Sequence, residues 1–330
     1  MKRALHLSTL GGPRVSPNPF VGAVIVARER IIGEGYHRQF GEAHAEVNAV
    51  AYVRQEDRPL LPESTMYVTL EPCSHFGKTP PCADLIIRES IPHVVIAAPD
   101  PFLKDYESGI DRLRNTGVRV EVGLMRREAE WINRRFFTAH RLKRPFVLLK
   151  WAQSADGLIS GPDGVPVRLS NPFTLMLMHR ERAYYDAVMV GTNTVVKDNP
   201  KLTCRLWPAR DCDSRPLKVT FNSPNISGEY AIEKSNPVKK QPAESLQEFL
   251  ERLYRENGVT SLMVEGGART LESFLQEGLF DELRIETSPG IIGNGVPAPD
   301  PAPFIREAHM TGRPPLSFSG NTIRYFVKNY

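Results

Sequence analysis

The chain is poor in cysteine, with four in 330 residues, and it has no run of eighteen apolar residues. The first scarcity leaves no basis for a disulfide-built scaffold, and the second argues against a membrane-spanning helix. Charge of one sign is scarce too: 42 Lys and Arg against 38 Asp and Glu leave a net +4. That is small for a protein that binds nucleic acid through a broad basic face, so neither nucleic acid nor membrane is expected as a partner, while a local basic pocket for a phosphate stays open. Met1-Lys2-Arg3 followed by Ala4-Leu5-His6-Leu7 is too short and polar for a signal-peptide core, so a cytoplasmic chain with reduced thiols is expected. There is no internal repeat and no Gly-x-Gly-x-x-Gly dinucleotide fingerprint.

What is present reads as two α/β domains. The length favours two domains over one, and 41% hydrophobic with 24% charged residues is ordinary for a globular chain. Val21–Val26 and Ile31–Tyr36 form a predicted hairpin, His44 opens a helix, and Met66–Leu70, Val94–Ala98 and Val118–Val122 are further predicted strands. Ile110–Thr116 reads as helix, and Met125–Leu142 as one long charged helix. Lys143-Arg144-Pro145 breaks the pattern, placing the boundary between a domain 1–144 and a domain 145–330. Beyond it, strands are expected at Phe146–Trp151, Ala183–Gly191, Leu217–Phe221, Ser261–Val264, Glu282–Thr287 and Thr322–Val327, and helices near 172–184, 244–256 and 268–277. Segments 205–216 and 295–315 read as loops.

Two short stretches carry chemistry. His44-Ala45-Glu46 and Pro72-Cys73…Cys82 offer one imidazole and two thiols, three zinc ligands that leave a fourth position for water. Glu46, two residues past the histidine, is placed to move protons on and off that water. His44 alone would more readily be a cap or core histidine, but the whole set in order is the pattern of zinc-dependent nucleobase deaminases. A purely structural zinc site would want a fourth protein ligand and has no use for Glu46. The usual Cys-x-x-Cys is replaced here by a spacer of eight residues.

The strings Pro17-Asn18-Pro19-Phe20-Val21-Gly22, Gly33-Glu34-Gly35-Tyr36-His37, His44-Ala45-Glu46-Val47 and Thr69-Leu70-Glu71-Pro72-Cys73 through His75, Gly77 and Lys78 to Cys82 closely resemble the deaminase domain of the bifunctional riboflavin-biosynthesis deaminase/reductases. The resemblance implies a cytidine-deaminase-like three-layer α/β/α domain. It further implies a phosphorylated diaminopyrimidine substrate, Zn2+ on His44, Cys73 and Cys82, and Glu46 as the catalytic group. Lys78 and His75 would supply charge and donors to a phosphate or ring oxygen, Asn18 would bond the pyrimidine edge with both ends of its amide, and His37 would line the pocket.

In the second half, Gly191-Thr192-Asn193-Thr194 follows a predicted strand, where a helix N-terminus can receive a phosphate, and Val264-Glu265-Gly266-Gly267 allows close backbone approach. With Lys150, Ser154…Asp156-Gly157 and Asp198-Asn199-Pro200…Leu202-Thr203…Arg205, this half resembles the reductase domain of the same family. The resemblance implies a dihydrofolate-reductase-like fold that uses NADPH. Lys150, Arg182, Leu202, Arg205 and Glu265 would hold the ribose phosphate; Ala152, Thr194, Asp198, Ser223 and Gly267-Ala268-Arg269-Thr270 would meet the cofactor. The family's Ser-x-Trp is replaced by Pro166-Val167-Arg168, Leu158 stands where a base is common, and Asn222 stands where a strand usually ends in Asp. Arg168 is therefore expected to meet a cofactor phosphate. A deaminase whose reductase-like half only binds or scaffolds is the alternative, and a nucleic-acid-editing deaminase is a third reading that the small charge and long spacer oppose. The family also implies a homo-oligomer, dimer or tetramer.

Overall fold

A computed structural model describes residues 1–75, 80–102, 108–208, 216–226 and 228–328. The chain divides into two compact units, Met1–Leu142 and Lys143–Tyr330.

The first unit runs α1 (Lys2–Ser8), β1 (Gly22–Ala27), β2 (Arg30–Tyr36), α2 (Ala45–Tyr52), β3 (Thr65–Leu70), α3 (Cys82–Arg88), β4 (His93–Ala98), α4 (Gly109–Asn115), β5 (Arg119–Val122), α5 (Arg126–Ile132) and α6 (Arg134–Leu142). Its sheet has the order β2-β1-β3-β4-β5, with β1 antiparallel to both neighbours and β3, β4 and β5 parallel. Alternation along each strand sends Ala23, Ile25, Met66, Val68, Val94 and Ile96 against α2, α3 and α4. Residues such as Val24 and Ala97 lie in separate clusters with Leu5, Leu7, Ala129 and Phe137 of α1, α5 and α6. These are the three layers that the sequence pattern predicts.

The predicted helix Met125–Leu142 is in fact two, broken at Asn133. Asn133 is buried, and its amide accepts from Phe20 N at 2.7 Å and donates to Phe20 O at 2.9 Å. A charged helical pattern does not reveal that a distant backbone needs this side chain.

The second unit continues with β6 (Phe146–Gln153), β7 (Leu158–Ser160), α7 (Pro172–Ala183), β8 (Ala187–Met189), α8 (Thr192–Asp198), β9 (Leu217–Phe221), β10 (Val238–Lys240), α9 (Leu246–Asn257), β11 (Ser261–Val264), α10 (Ala268–Gln276), β12 (Glu282–Thr287), β13 (Val296–Pro297), α11 (Ala302–Glu307), β14 (Thr311–Gly312), β15 (Leu316–Phe318) and β16 (Asn321–Val327). Nine strands form the order β10-β9-β8-β11-β6-β12-β16-β14, with β15 on β16, while β13 and β7 pair separately. All contacts from β10 to β12 are parallel, and β16 returns antiparallel. Val147, Leu149, Leu283 and Ile285 pack against α9 and α10, whereas Phe146, Leu148 and Met263 cluster with Met178 of α7 and Val195 of α8.

Two further expectations are corrected. The strand predicted to begin at Ala183 begins at Ala187, because Asp186 is buried and its carboxylate accepts from the backbone N–H and hydroxyl groups of Thr260 and Ser261. The proline-rich segment 295–315 is not all loop: it holds β13, α11 and β14, with prolines at the start of the helix where the missing N–H costs nothing.

Candidate active sites

In the first unit, His44 is the N-cap of α2 and Cys82 the first residue of α3, so two helix starts converge. The ligand atoms of His44, Cys73 and Cys82 all lie within 4.8 Å of one another. Nδ1 of His44 is 3.5 Å from Cys73 Sγ and 3.4 Å from Cys82 Sγ. The Cys82 N–H donates to Cys73 Sγ at 3.3 Å. Hydrogen bonding from Cys82 pulls the Cys73 thiol down to about 4, and the same contact, with burial, pushes Cys82 up. Hydrogen bonding to Cys73 raises His44 to about 9 despite its burial. Two soft sulfurs and one imidazole around a common centre fit a zinc ion, which binds deprotonated thiolates and a neutral imidazole.

Glu46, in the first turn of α2, is 3% exposed. Burial pushes its carboxyl up to about 7, against the pull of His44. His37 is buried: its Nδ1 meets the Ala43 carbonyl at 3.1 Å, which leaves Nε2 to accept from the Asn18 amide, also at 3.1 Å. Its ring stands edge-on to His44 with centroids 5.6 Å apart. One amide hydrogen of Asn18 is thus committed to His37, so the side chain keeps less than the full donor–acceptor pair expected of it. His75 is half-buried, and Lys78 lies outside the described residues.

The sequence reading missed the support of this site. Glu71 is buried and accepts from Ser108 Oγ at 2.6 Å, Asp100 N at 3.1 Å and Ile110 N at 3.2 Å, while Ser108 caps α4. Gly109 has no room for a side chain there, since a Cβ would stand 1.9 Å from the Pro72 carbonyl. Only a Ser-Gly pair opening a helix could have hinted at it.

In the second unit a cleft of about 890 Å³ opens beside the C-terminal ends of β6, β8 and β11. Of the expected residues it is lined by Lys150, Ala152, Arg168, Arg182, Thr194, Asp198, Leu202, Glu265 and the turn Gly267, Ala268, Arg269, Thr270. Arg205 and Ser223 are not brought to its wall: Arg205 is exposed and donates to Thr203 Oγ1 at 3.0 Å, and Ser223 Oγ accepts from Asn225 N at 3.3 Å. Arg182 reaches Glu265 as a two-pronged pair at 2.5 and 2.9 Å and donates to the Thr203 carbonyl at 3.0 Å. Lys150 Nζ is 3.8 Å from the same carboxylate. Burial favours a protonated Glu265, but Arg182, with Lys150 and Arg284 behind it, outweighs that and holds the carboxyl at about 2. Burial lowers Lys150. Trp151, Lys197 and Phe221 also line the cleft, and strand and helix periodicity alone gave no signal for them.

The residues present fit a dinucleotide phosphate, since Arg168, Lys197 and Arg269 line the cleft beside the start of α10. At Gly191 and Gly266 a Cβ would stand 2.3 and 2.7 Å from Thr270, so bare backbone is required where the strands end. The Gly267 N–H is tied to Thr194 Oγ1 at 3.1 Å, fixing two helix starts together.

Residues 145–312 match the family described as RibD C-terminal domain, and residues 1–98 match the cytidine and deoxycytidylate deaminase zinc-binding region. The riboflavin biosynthesis protein RibD of Aquifex aeolicus is 36% identical over 352 aligned positions, covering 100% of this chain and 98% of that protein. The chain belongs to the RibD family of riboflavin biosynthesis proteins. RibD of Escherichia coli is 31% identical, with 89% of this chain and 88% of that one covered. RibD of Acinetobacter baumannii superimposes with a TM-score of 0.89 at 27% identity, over 100% and 98% of the two chains. A Thermotoga maritima protein described as a diaminohydroxyphosphoribosylaminopyrimidine deaminase/5-amino-6-(5-phosphoribosylamino)uracil reductase gives 0.84 at 33% identity, over 100% and 97%. As a RibD-family chain this is a bifunctional enzyme of riboflavin biosynthesis. Its first half is a zinc-dependent deaminase of cytidine-deaminase-like fold, and its second an NADPH-using reductase of dihydrofolate-reductase-like fold. Nothing in the RibD-type reductase half favours a mere scaffold. Among the described residues, no helix is long and apolar enough to cross a membrane.

Proposed function

We propose that the substrate is 2,5-diamino-6-(5-phosphoribosylamino)pyrimidin-4-one, deaminated by hydrolysis on the ring, and that the deaminated product is then reduced from ribosyl to ribityl. The observation that carries this is the pairing, in one chain, of the His44–Cys73–Cys82 cluster beside the buried Glu46 with a cleft built on Lys150, Arg182 and Glu265. The same two activities are named for the Thermotoga maritima relative.

In the deaminase site, His44, Cys73 and Cys82 would hold a zinc ion, which would supply Lewis acidity for the hydrolysis. Glu46 takes the water proton and returns it to the departing amine, a task suited to a carboxyl poised near seven. His37 stays neutral, because burial lowers it, and orients Asn18 toward the pyrimidine. Lys78 and His75 meet the anionic end of the substrate.

In the reductase cleft, NADPH supplies the hydride. Lys150 and the Arg182–Glu265 pair hold the ribose phosphate with Leu202. Ala152, Thr194, Asp198 and the turn Gly267–Thr270 would position the cofactor, with Arg168 on a phosphate. The placement of Arg168 in the cleft wall supports that last role.

A homo-oligomer in the cytoplasm completes the reading. The thiols of Cys73 and Cys82, which form no disulfide, suit a reducing compartment. A light-scattering mass of one chain would remove the oligomer. A two-step assay tests the rest: without NADPH the deaminated pyrimidine accumulates, and adding NADPH consumes it with loss of the nicotinamide absorbance. No loss at high protein concentration would leave a deaminase alone.

A further inference from the structure

Along β12, Leu283 and Ile285 enter one core while Glu282, Arg284 and Glu286 share the opposite face, and none of these three charged residues is more than 2% exposed. Arg284 stands opposite Lys150 of β6 and opposite Tyr325 of β16. Its Nε lies 3.0 Å from Glu181 Oε2 and 3.2 Å from the Tyr325 hydroxyl, and its Nη1 is 3.6 Å from Glu286 Oε2. Both Nη atoms and Glu286 Oε2 lack a hydrogen-bond partner among the described residues. Incompletely paired buried charge weakens a fold, so stability does not account for the seam.

The seam reaches the cleft at Asn321. Its buried amide donates to Glu286 Oε1 at 2.7 Å and to the Leu169 carbonyl at 2.9 Å. Leu169 lines the cleft next to Arg168, in a stretch, 165–169, that belongs to no helix or strand. Two residues on, Asn171 donates to the Phe318 carbonyl at 2.8 Å. This part of the cleft wall is therefore held from behind, through β15 and β16. It is also the place where the family's Ser-x-Trp is absent from this chain.

We propose that Asn321 and Glu286 are positioning residues of the reductase: a buried amide, oriented by a buried carboxylate, that fixes the Arg168–Ser170 wall where NADPH meets it. The proposal rests on the reductase reading above. Glu286 sets which way the Asn321 amide faces, because an acceptor-only group turns the NH2 end toward itself and so toward Leu169. Burial disfavours the ionised carboxylate, but Thr174, Asn321, Arg284 and Lys150 outweigh it and lower its pKa.

The test uses the full-length protein and NADPH binding followed by nicotinamide fluorescence, together with both activities. Asn321→Ala is expected to raise the Kd and KM for NADPH about tenfold while the deaminase rate is unchanged. Glu286→Gln, whose carbonyl still accepts from Asn321, is expected to stay within about twofold of wild type in Kd. Wild-type NADPH affinity in Asn321→Ala overturns the proposal, as does wild-type affinity in Glu286→Ala, which removes the acceptor that orients the Asn321 amide. Should Asn321→Ala fail to fold, Asn321→Ser, with one donor in place of two, is expected to weaken NADPH severalfold, and unchanged affinity there overturns the proposal equally. Failure of the wild-type protein to oxidise NADPH with the deaminated pyrimidine would instead strike the reductase reading itself.

Discussion

Two glutamates show how environment, not residue type, divides the work. Glu46 is buried beside thiols and rises to about 7, whereas Glu265 is buried beside two cations and falls to about 2. Glu46→Gln keeps the three ligands, so it is expected to retain about one zinc per chain while deamination drops by about 10²–10⁴-fold. Metal analysis and a turnover assay on one sample check this, and wild-type turnover would remove Glu46 from its role. Glu265 contributes to stability in a defined pH window. Its folded-state carboxyl titrates below the ordinary 4.5, so its ion pair acts fully above that pH and is lost as pH falls toward about 2. Glu265→Gln, which strands the Arg182 charge, is expected to cost about 3 kcal/mol at pH 7. Urea titrations at pH 7 and in acid should show the gap to wild type narrowing as the pH drops.

The elements place these groups by their ends. Two helix starts bring His44 and Cys82 to Cys73, three residues past β3, and at the break between α5 and α6 Asn133 holds Phe20. Phe20 lies two residues beyond Asn18, whose amide leans on His37. Asn133→Ala is therefore expected to destabilise the first unit by about 2 kcal/mol, through two lost bonds to buried backbone. It should also raise the deaminase KM, because Asn18 loses its anchor, and leave reduction untouched. Denaturation curves and both assays on the one variant separate these effects; an unchanged deaminase KM would confine Asn133 to folding.

At the scale of the whole molecule, two units with separate cores carry two chemistries of different cofactor demand. Stripping the metal with a chelator is expected to abolish deamination and leave reduction of supplied deaminated substrate intact, with zinc restoring the first activity. A parallel loss of both would show that the sites are not independent.

The sequence by itself determined the three candidate ligands that the fold brings together, and the strand–helix alternation. Both are written in local order: His-x-Glu, Pro-Cys and period-two apolar runs need no knowledge of distant contacts. It also named most of the cleft, because glycine pairs and loop charges follow strands in a readable way. Tertiary structure alone decided the rest. Arg205 belongs to a motif string and Ser223 was expected from the resemblance, yet in this structure both lie away from the cleft wall. Asn133, Arg284, Glu286 and Asn321 carry no motif, and Glu71 sits in one without showing its role, because each takes its meaning from a residue distant in the chain, such as Ser108, Phe20, Glu181 and Leu169. A pattern read along the chain shows which face a residue takes; only the folded sheet shows what stands opposite it.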